Sequence, residues 1–141
     1  MSLKVLIAEA DWRFTGPAAA YLESHAHHVV CEAGAKAARA KAAHWRPDLV
    51  ILSAELANRG LVKRLAAMKP RPAILLTGRM DRFDQAWRAW QKGGDELLMK
   101  PLFKVQELHE AIVTALENAT TGVRRRRLEA AGTGGRQAAS A

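Results

Sequence analysis

Acidic, hydroxyl and amino side chains follow directly after several short apolar runs of the chain. Glu9 and Asp11 come after the first of these runs, and Ser53, Thr77 and Lys100 each follow a later one. Carboxylates can hold a divalent cation, and an ammonium group can bind anionic oxygens. A serine hydroxyl is a weak nucleophile unless a base lies beside it. The chemistry open to these five side chains therefore depends on whether the fold brings them together.

Alternating apolar runs and helical stretches predict the elements that position these side chains. The runs are apolar at successive positions, which is typical of strands buried on both faces of a parallel sheet. They are Val5–Ala8, Val29–Cys31, Leu49–Leu52, Ala73–Leu76 and Leu97–Met99. The stretches with helical composition are Phe14–Ser24, Ala35–His44, Leu61–Met68, Asp81–Lys92 and Val105–Glu117. Their order predicts an α/β fold: a doubly wound (βα)5 three-layer sandwich with a five-stranded parallel sheet, in which ligands gather at the carboxyl ends of the strands.

Proline, aspartate and glycine residues predict where two of the helices begin and end. Pro17 is expected near the first turn of its helix, because proline lacks the N–H that a helix interior needs. Asp81 is a candidate N-cap of the fourth helix. Gly93 and Gly94 are expected to end that helix.

Four segments, in order along the chain, resemble the motifs of response-regulator receiver domains. They are Lys4–Asp11, Arg46–Ser53, Ala73–Gly78 and Gly93–Pro101. Within them, Thr77 resembles the family's switch threonine, Lys100 its phosphate-binding lysine and Pro101 its cis-proline. The resemblance covers about residues 3–117 and implies the flavodoxin-like fold and a role in bacterial two-component, phosphorelay-type signal transduction. It also implies that a histidine kinase transfers a phosphoryl group to an aspartate, and that a magnesium ion assists this transfer.

Three positions depart from the pattern that this resemblance implies. Ser53 stands at the phosphoacceptor position, Ala10 at one of the two acidic positions beside Glu9, and Leu97 at the position of the aromatic switch. Two of the three carboxylates that the resemblance implies around magnesium are therefore replaced. Because a hard divalent cation prefers several oxygen ligands, we expect no bound metal. We also expect no cofactor and no enzymatic activity. These departures predict a stand-alone, atypical receiver domain that binds a histidine kinase or another regulator without aspartyl phosphorylation.

The polar residues that remain leave two questions open. Lys100 either pairs with Glu9 across the site or points into water. Asp11 is expected to turn away from the site, because neighbouring side chains alternate along a strand edge. Phosphorylation at Ser53 by a serine kinase, or at another non-standard residue such as Glu9 or Asp11, is the alternative.

An aromatic stripe lies on the predicted fourth helix, at Phe83, Trp87 and Trp90. The spacing of i, i+4 and i+7 places the three rings on one face of the helix. One interpretation is ordinary cover for the core. The other is an exposed surface, at least at Trp90, that binds a partner or forms a homodimer through the fourth helix and the fifth strand.

The end of the chain differs from the rest in composition and charge. The chain of 141 residues carries a net charge of +8. We expect a receiver-like domain over residues 1–118 and a flexible basic tail over residues 119–141. The tail contains four consecutive arginines, Arg124, Arg125, Arg126 and Arg127. They are either a solvated run or an electrostatic arm for nucleic acid or an acidic protein. Sequence-specific binding of nucleic acid is not expected, because no aromatic residues are interleaved for stacking on bases and no second DNA-binding fold has room to form.

The remaining composition excludes several classes of protein. No apolar run approaches the ~20 residues of a membrane span, and no signal peptide is visible, so a cytoplasmic location is expected. Cys31 is the single cysteine, which excludes an intramolecular disulfide and a multi-cysteine zinc site. His25, His27 and His28 are close in sequence, and we interpret them as a solvated turn rather than a metal site.

Overall fold

The structure is a computed structural model, and it describes residues 2–57, 60–102 and 104–121. Five parallel strands form one sheet in the order β2-β1-β3-β4-β5. They are β1 (Lys4–Ala8), β2 (His28–Glu32), β3 (Leu49–Ser53), β4 (Ala73–Arg79) and β5 (Glu96–Lys100). The helices are α1 (Trp12–Ser24), α2 (Ala35–Trp45), α3 (Leu61–Ala66), α4 (Phe83–Gln91) and α5 (Val105–Thr121), with short 3-10 helices at Ala54–Leu56 and Met80–Arg82. The predicted doubly wound (βα)5 sandwich is confirmed.

The central strands β1, β3 and β4 are buried on both faces because their apolar residues occupy odd and even positions alike. The predicted burial on both faces is wrong for β2, an edge strand on which His28 and Cys31 are exposed. On one face of the sheet, Val5 and Ile7 of β1 pack against helices α1 and α5. On the other face, Leu6 and Ala8 pack against helices α2, α3 and α4. Each fully buried leucine or isoleucine contributes about 1.5–3 kcal/mol of transfer free energy. The continuous apolar runs therefore supply both cores of the three-layer fold.

Helix α1 begins earlier than the sequence predicts. The Asp11 side chain accepts a hydrogen bond of 3.0 Å from the Arg13 N–H and caps the helix, which starts at Trp12. Pro17 consequently lies in the interior of the helix, and the prediction that it sits near the first turn is wrong.

Helix α4 also begins differently, because Asp81 is not its cap. The N-cap residue is Arg82, and it forms no side-chain capping bond. Asp81 instead accepts two hydrogen bonds from the Arg79 guanidinium, of 3.0 and 2.7 Å. The end of the helix is predicted correctly, since α4 is followed by Gly93 with a φ of 137°. A close approach at Gly78, where an added Cβ would lie 2.5 Å from the Ala86 Cβ, lets α4 pack directly on β4.

The last helix, α5, continues to Thr121, so the first three residues of the predicted tail are helical. Residues 122–141, including the four arginines at 124–127, lie outside the described residues. In the part of the chain that the structure describes, no helix has both the length and the apolar character needed to cross a membrane.

Candidate functional site

The carboxyl edge of the sheet brings Glu9, Ser53, Thr77 and Lys100 together, as the sequence predicts. Ser53 at the end of β3 is in register with Thr77 of β4, and Lys100 ends the neighbouring strand β5. Glu9 follows β1, and its N–H donates a hydrogen bond of 3.0 Å to the carbonyl of Glu32. All four of these residues are buried.

A buried ion pair occupies the centre of this edge. The Lys100 ammonium group donates a hydrogen bond to the Glu9 carboxylate, and the two side chains are only 9% and 2% exposed. The Thr77 hydroxyl donates to the same Glu9 oxygen at 3.4 Å, and the Asp11 N–H donates to the other oxygen at 3.3 Å. The Lys100 Nζ also lies 5.7 Å from the centre of the Phe14 ring, a distance that suits a cation–π contact. The predicted pairing of Lys100 with Glu9 is confirmed, and the alternative that Lys100 points into water is wrong.

Asp11 stands beside the ion pair but is used for another purpose. Its carboxylate caps α1 and lies 3.1 Å from the Arg13 Nε. The hydrogen bond from the Arg13 side chain holds the pKa of the Asp11 carboxyl below its usual value. The neighbouring Ala10 is exposed and offers no side-chain ligand. Asp11 lines the same cleft as Lys100, whose charge also lowers the Asp11 pKa, so the prediction that Asp11 turns away from the site is not confirmed. Its carboxylate is engaged by Arg13, and Glu9 is the carboxylate that Lys100 contacts.

The Ser53 hydroxyl is poorly placed for nucleophilic chemistry. Its Oγ accepts a hydrogen bond of 3.3 Å from the Glu55 N–H, which caps the 3-10 helix after β3. Ser53 is 2% exposed. In residues 2–57, 60–102 and 104–121, no carboxylate or imidazole lies within hydrogen-bond distance of this hydroxyl. A hydroxyl without a base is a weak nucleophile, and this one is also shielded from a protein kinase.

An open cleft of about 1130 Å³ leads from this edge to the surface. Lys100 lies on its inner wall, and Arg79 on its rim pairs with Asp81 and lies 3.9 Å from Glu55. Trp12, the first residue of α1, also lines the cleft and is 77% exposed. The sequence reasoning missed Trp12. Its position four residues after the end of the predicted strand Val5–Ala8 was the signal that could have found it.

The other residues singled out on β5 occupy structural positions. Leu97 is half-buried and packs against the core that α2, α3 and α4 cover. The peptide bond between Lys100 and Pro101 is cis, as the resemblance implies.

The aromatic stripe of α4 forms a ladder of stacked rings. The ring centroids of Phe83 and Trp87 are 6.2 Å apart, and those of Trp87 and Trp90 are 4.8 Å apart. Phe83 is 52% exposed and Trp87 is 43% exposed. Trp90 is half-buried and packs against the core, so the expectation of exposure at Trp90 is wrong. At 3.6 residues per turn, Trp90 is rotated about 20° from Phe83 towards the buried Ala86, whereas Trp87 is rotated about 40° the other way.

The histidine cluster is dispersed over a helix end and a strand. His25 is the C-cap of α1, and His28 begins β2. The His27 Nδ1 accepts a hydrogen bond of 3.0 Å from the Leu3 N–H, and burial lowers the pKa of its imidazole. Among the described residues, no three His, Cys, Asp or Glu side chains are arranged to hold a metal ion.

Comparison with solved structures shows the fold of response-regulator receiver domains. The chain superimposes on NtrX from Brucella abortus with a TM-score of 0.75 and 21% identity, over 91% of this chain and 29% of that one. The receiver domain of a modulated diguanylate cyclase from Desulfovibrio desulfuricans gives 0.72 and 22%, over 86% and 99% of the two chains. The receiver domain of the response regulator AraT from Geobacillus stearothermophilus gives 0.72 and 22%, over 86% and 98%.

The chain thus spans about 29% of NtrX but nearly the whole of the isolated receiver domains. No protein-family model matches the sequence, and no curated protein matches it either.

Proposed function

We propose that this chain is an atypical receiver domain of two-component signalling that works without aspartyl phosphorylation and acts by binding a partner protein. The observation that carries the proposal is the buried ion pair between Lys100 and Glu9. In the family that the sequence resembles, the corresponding lysine binds the phosphoryl group. Here the ammonium group already has a permanent anion, so the pocket contains a fixed contact instead of a site that a phosphate can fill.

The carboxylates needed for metal-assisted phosphoryl transfer are not assembled at this edge. Ser53 supplies a capping hydroxyl where the resemblance implies the phosphoacceptor, and Ala10 supplies a methyl group where it implies an acid. Asp11 is engaged with Arg13, and Glu9 is engaged with Lys100. A magnesium ion would have to compete with the Lys100 ammonium group for Glu9 and with the Arg13 guanidinium for Asp11, and such competition disfavours metal binding.

The proposed binding surface is the aromatic ladder of α4, together with the adjoining face of β5. Phe83 and Trp87 are large, exposed and stacked, and Trp90 fixes the ladder to the core. Tryptophan side chains are frequent anchors of protein interfaces, because they bury a large area at low conformational cost. The partner is a histidine kinase, another regulator or a second copy of this chain.

Phosphorylation can be tested directly with a small phosphodonor. The purified protein is incubated with acetyl phosphate and magnesium chloride, and its intact mass is followed with time. We expect no gain of a phosphoryl group, since neither Ser53 nor the paired Glu9 is a competent acceptor. The Ala10→Asp/Ser53→Asp variant, which returns two carboxylates to the edge, serves as the positive control. A phosphoryl adduct at Glu9, Asp11 or Ser53 of the unmodified protein would overturn the proposal.

A further inference from the structure

The positive charge of the domain is concentrated in one part of the chain. Residues 33–80 contain ten lysine and arginine residues and two acidic residues, so their net charge is +8. Residues 1–32 and residues 81–121 each carry a net charge of −2. Within this segment, helices α2 and α3 carry five of the basic residues, Lys36, Arg39, Lys41, Lys63 and Arg64. These two helices therefore form a basic side of the domain, and a charge concentration of this kind steers polyanions to one surface.

The basic side is built by α2 and α3, which lie next to each other on the same face of the sheet. Neither helix contains an acidic residue. A groove of about 890 Å³ runs between them, with an alanine- and leucine-rich floor and with Lys36, Arg39 and Arg64 on its walls. All three basic side chains are exposed, and none forms an ion pair within residues 2–57, 60–102 and 104–121. Their charge is thus available to an external anion.

Large exposed apolar side chains, which usually anchor protein partners, lie elsewhere in the described part of the domain. None of them belongs to α2 or α3. They are Trp12, Met80, Phe83, Trp87, Val105 and Val113. The groove therefore offers charge and small side chains that allow close approach, but no protruding anchor for a protein partner.

We propose that the groove between α2 and α3 binds the phosphate backbone of duplex DNA, independently of base sequence. A duplex carries about one negative charge per 1.7 Å of its axis, a density that suits basic side chains spread over two adjacent helices. A single strand usually needs aromatic side chains on which its bases stack. Helices α2 and α3 contain one aromatic residue of this kind, Trp45, and it is half-buried. The ammonium groups of Lys4 and Lys41 lie within 5.7 Å of the centre of its ring, where a base would otherwise stack. Duplex DNA is consequently favoured over single-stranded nucleic acid.

The test is fluorescence anisotropy of the full chain with a labelled 30-base-pair duplex at several salt concentrations. The groove variant is Lys36→Gln/Arg39→Gln/Arg64→Gln. If all three side chains contact phosphates, the slope of log K against log salt falls by about 2.7, since each contact contributes about 0.9. We expect the dissociation constant at low salt to rise by about tenfold or more.

The matched control removes the same charge from another surface. Arg82→Gln/Arg88→Gln/Lys92→Gln neutralises three exposed residues at and around α4. We expect this variant to bind DNA almost as the parent does, and both triple variants to unfold at the parent's temperature. Nuclear magnetic resonance should map the amide shifts caused by the duplex to α2 and α3.

Several outcomes would overturn the proposal. Equal losses in the groove and control variants would mean that only net charge matters. Loss of binding on neutralising Arg124–Arg127, with the groove variant unchanged, would place the site in the tail. Preference for a single-stranded 30-mer, or displacement of the duplex by poly-glutamate at equal charge concentration, would assign the groove to another kind of partner.

Discussion

Breaking the buried ion pair should cost far more stability than removing any exposed charge. Lys100→Met leaves the Glu9 carboxylate 2% exposed and without its cation. Loss of one partner from a buried pair costs about 3–5 kcal/mol, because the other charge stays buried and uncompensated. Glu9→Gln should fall at the lower end of that range, since Lys100 borders the open cleft and its ammonium group can reach water. Against a total stability of about 5–15 kcal/mol, either loss is large.

The double variant Glu9→Gln/Lys100→Met separates the pair from its surroundings. With its amide oxygen towards the Asp11 N–H, the glutamine keeps that hydrogen bond, its NH2 group can donate to the Thr77 hydroxyl, and no charge is left buried. We therefore expect the double variant to be at least about 2 kcal/mol more stable than the sum of the two single losses would give.

Urea unfolding followed by circular dichroism measures all three variants. With a slope near 2 kcal/mol per molar urea, Lys100→Met should lower the midpoint by roughly 2 M. Lys104→Met is the matched control, because Lys104 lines the same cleft but is exposed, and its loss should stay within about 0.5 kcal/mol. Equal costs for the two lysine variants, or a coupling energy near zero, would refute the reasoning.

Three further predictions test the metal site, the aromatic ladder and the histidine turn. Ala10→Asp/Ser53→Asp should gain magnesium affinity at about millimolar level, and it should be less stable than the parent without metal because like charges repel; identical magnesium titrations for variant and parent would contradict the strand alignment. Trp87→Ala should weaken self-association or partner capture in analytical ultracentrifugation while costing less stability than Trp90→Ala, whose ring packs on the core; the reverse ranking would assign Trp87 to the core. Burial depresses the pKa of His27 below its usual 6.5, so the neutral imidazole and its hydrogen bond from Leu3 contribute about 1 kcal/mol of stability above pH 6.5, and this contribution is lost as the pH falls. The difference in unfolding free energy between the parent and His27→Ala should therefore shrink from pH 7.5 to pH 5.0. A constant difference would contradict the prediction.

Much of the fold and the pairing at its edge could be predicted from local patterns. Short runs that are apolar at successive positions indicate strands of a parallel sheet, and all five strands lie where those runs lie. Parallel strands bring their carboxyl ends to one edge, which is why the meeting of Glu9 with Lys100 could be expected across 91 residues of chain. The sequence also determines the departures at Ala10 and Ser53, because they are matters of residue type.

Other features were decided by the tertiary structure, because they depend on which of several neighbours a side chain meets. Asp81 has the residue type of a helix cap, but the Arg79 guanidinium offers it two charge-assisted hydrogen bonds. The position of Trp90 depends on a helix rotation of some tens of degrees, which the packing of α4 on Gly78 sets. The basic groove needs α2 and α3 to be neighbours, and their adjacency follows from the order of strands β1, β3 and β4 in the sheet. The sequence shows that both helices are basic, but only the tertiary structure places Lys36 and Arg39 of α2 and Arg64 of α3 around one groove.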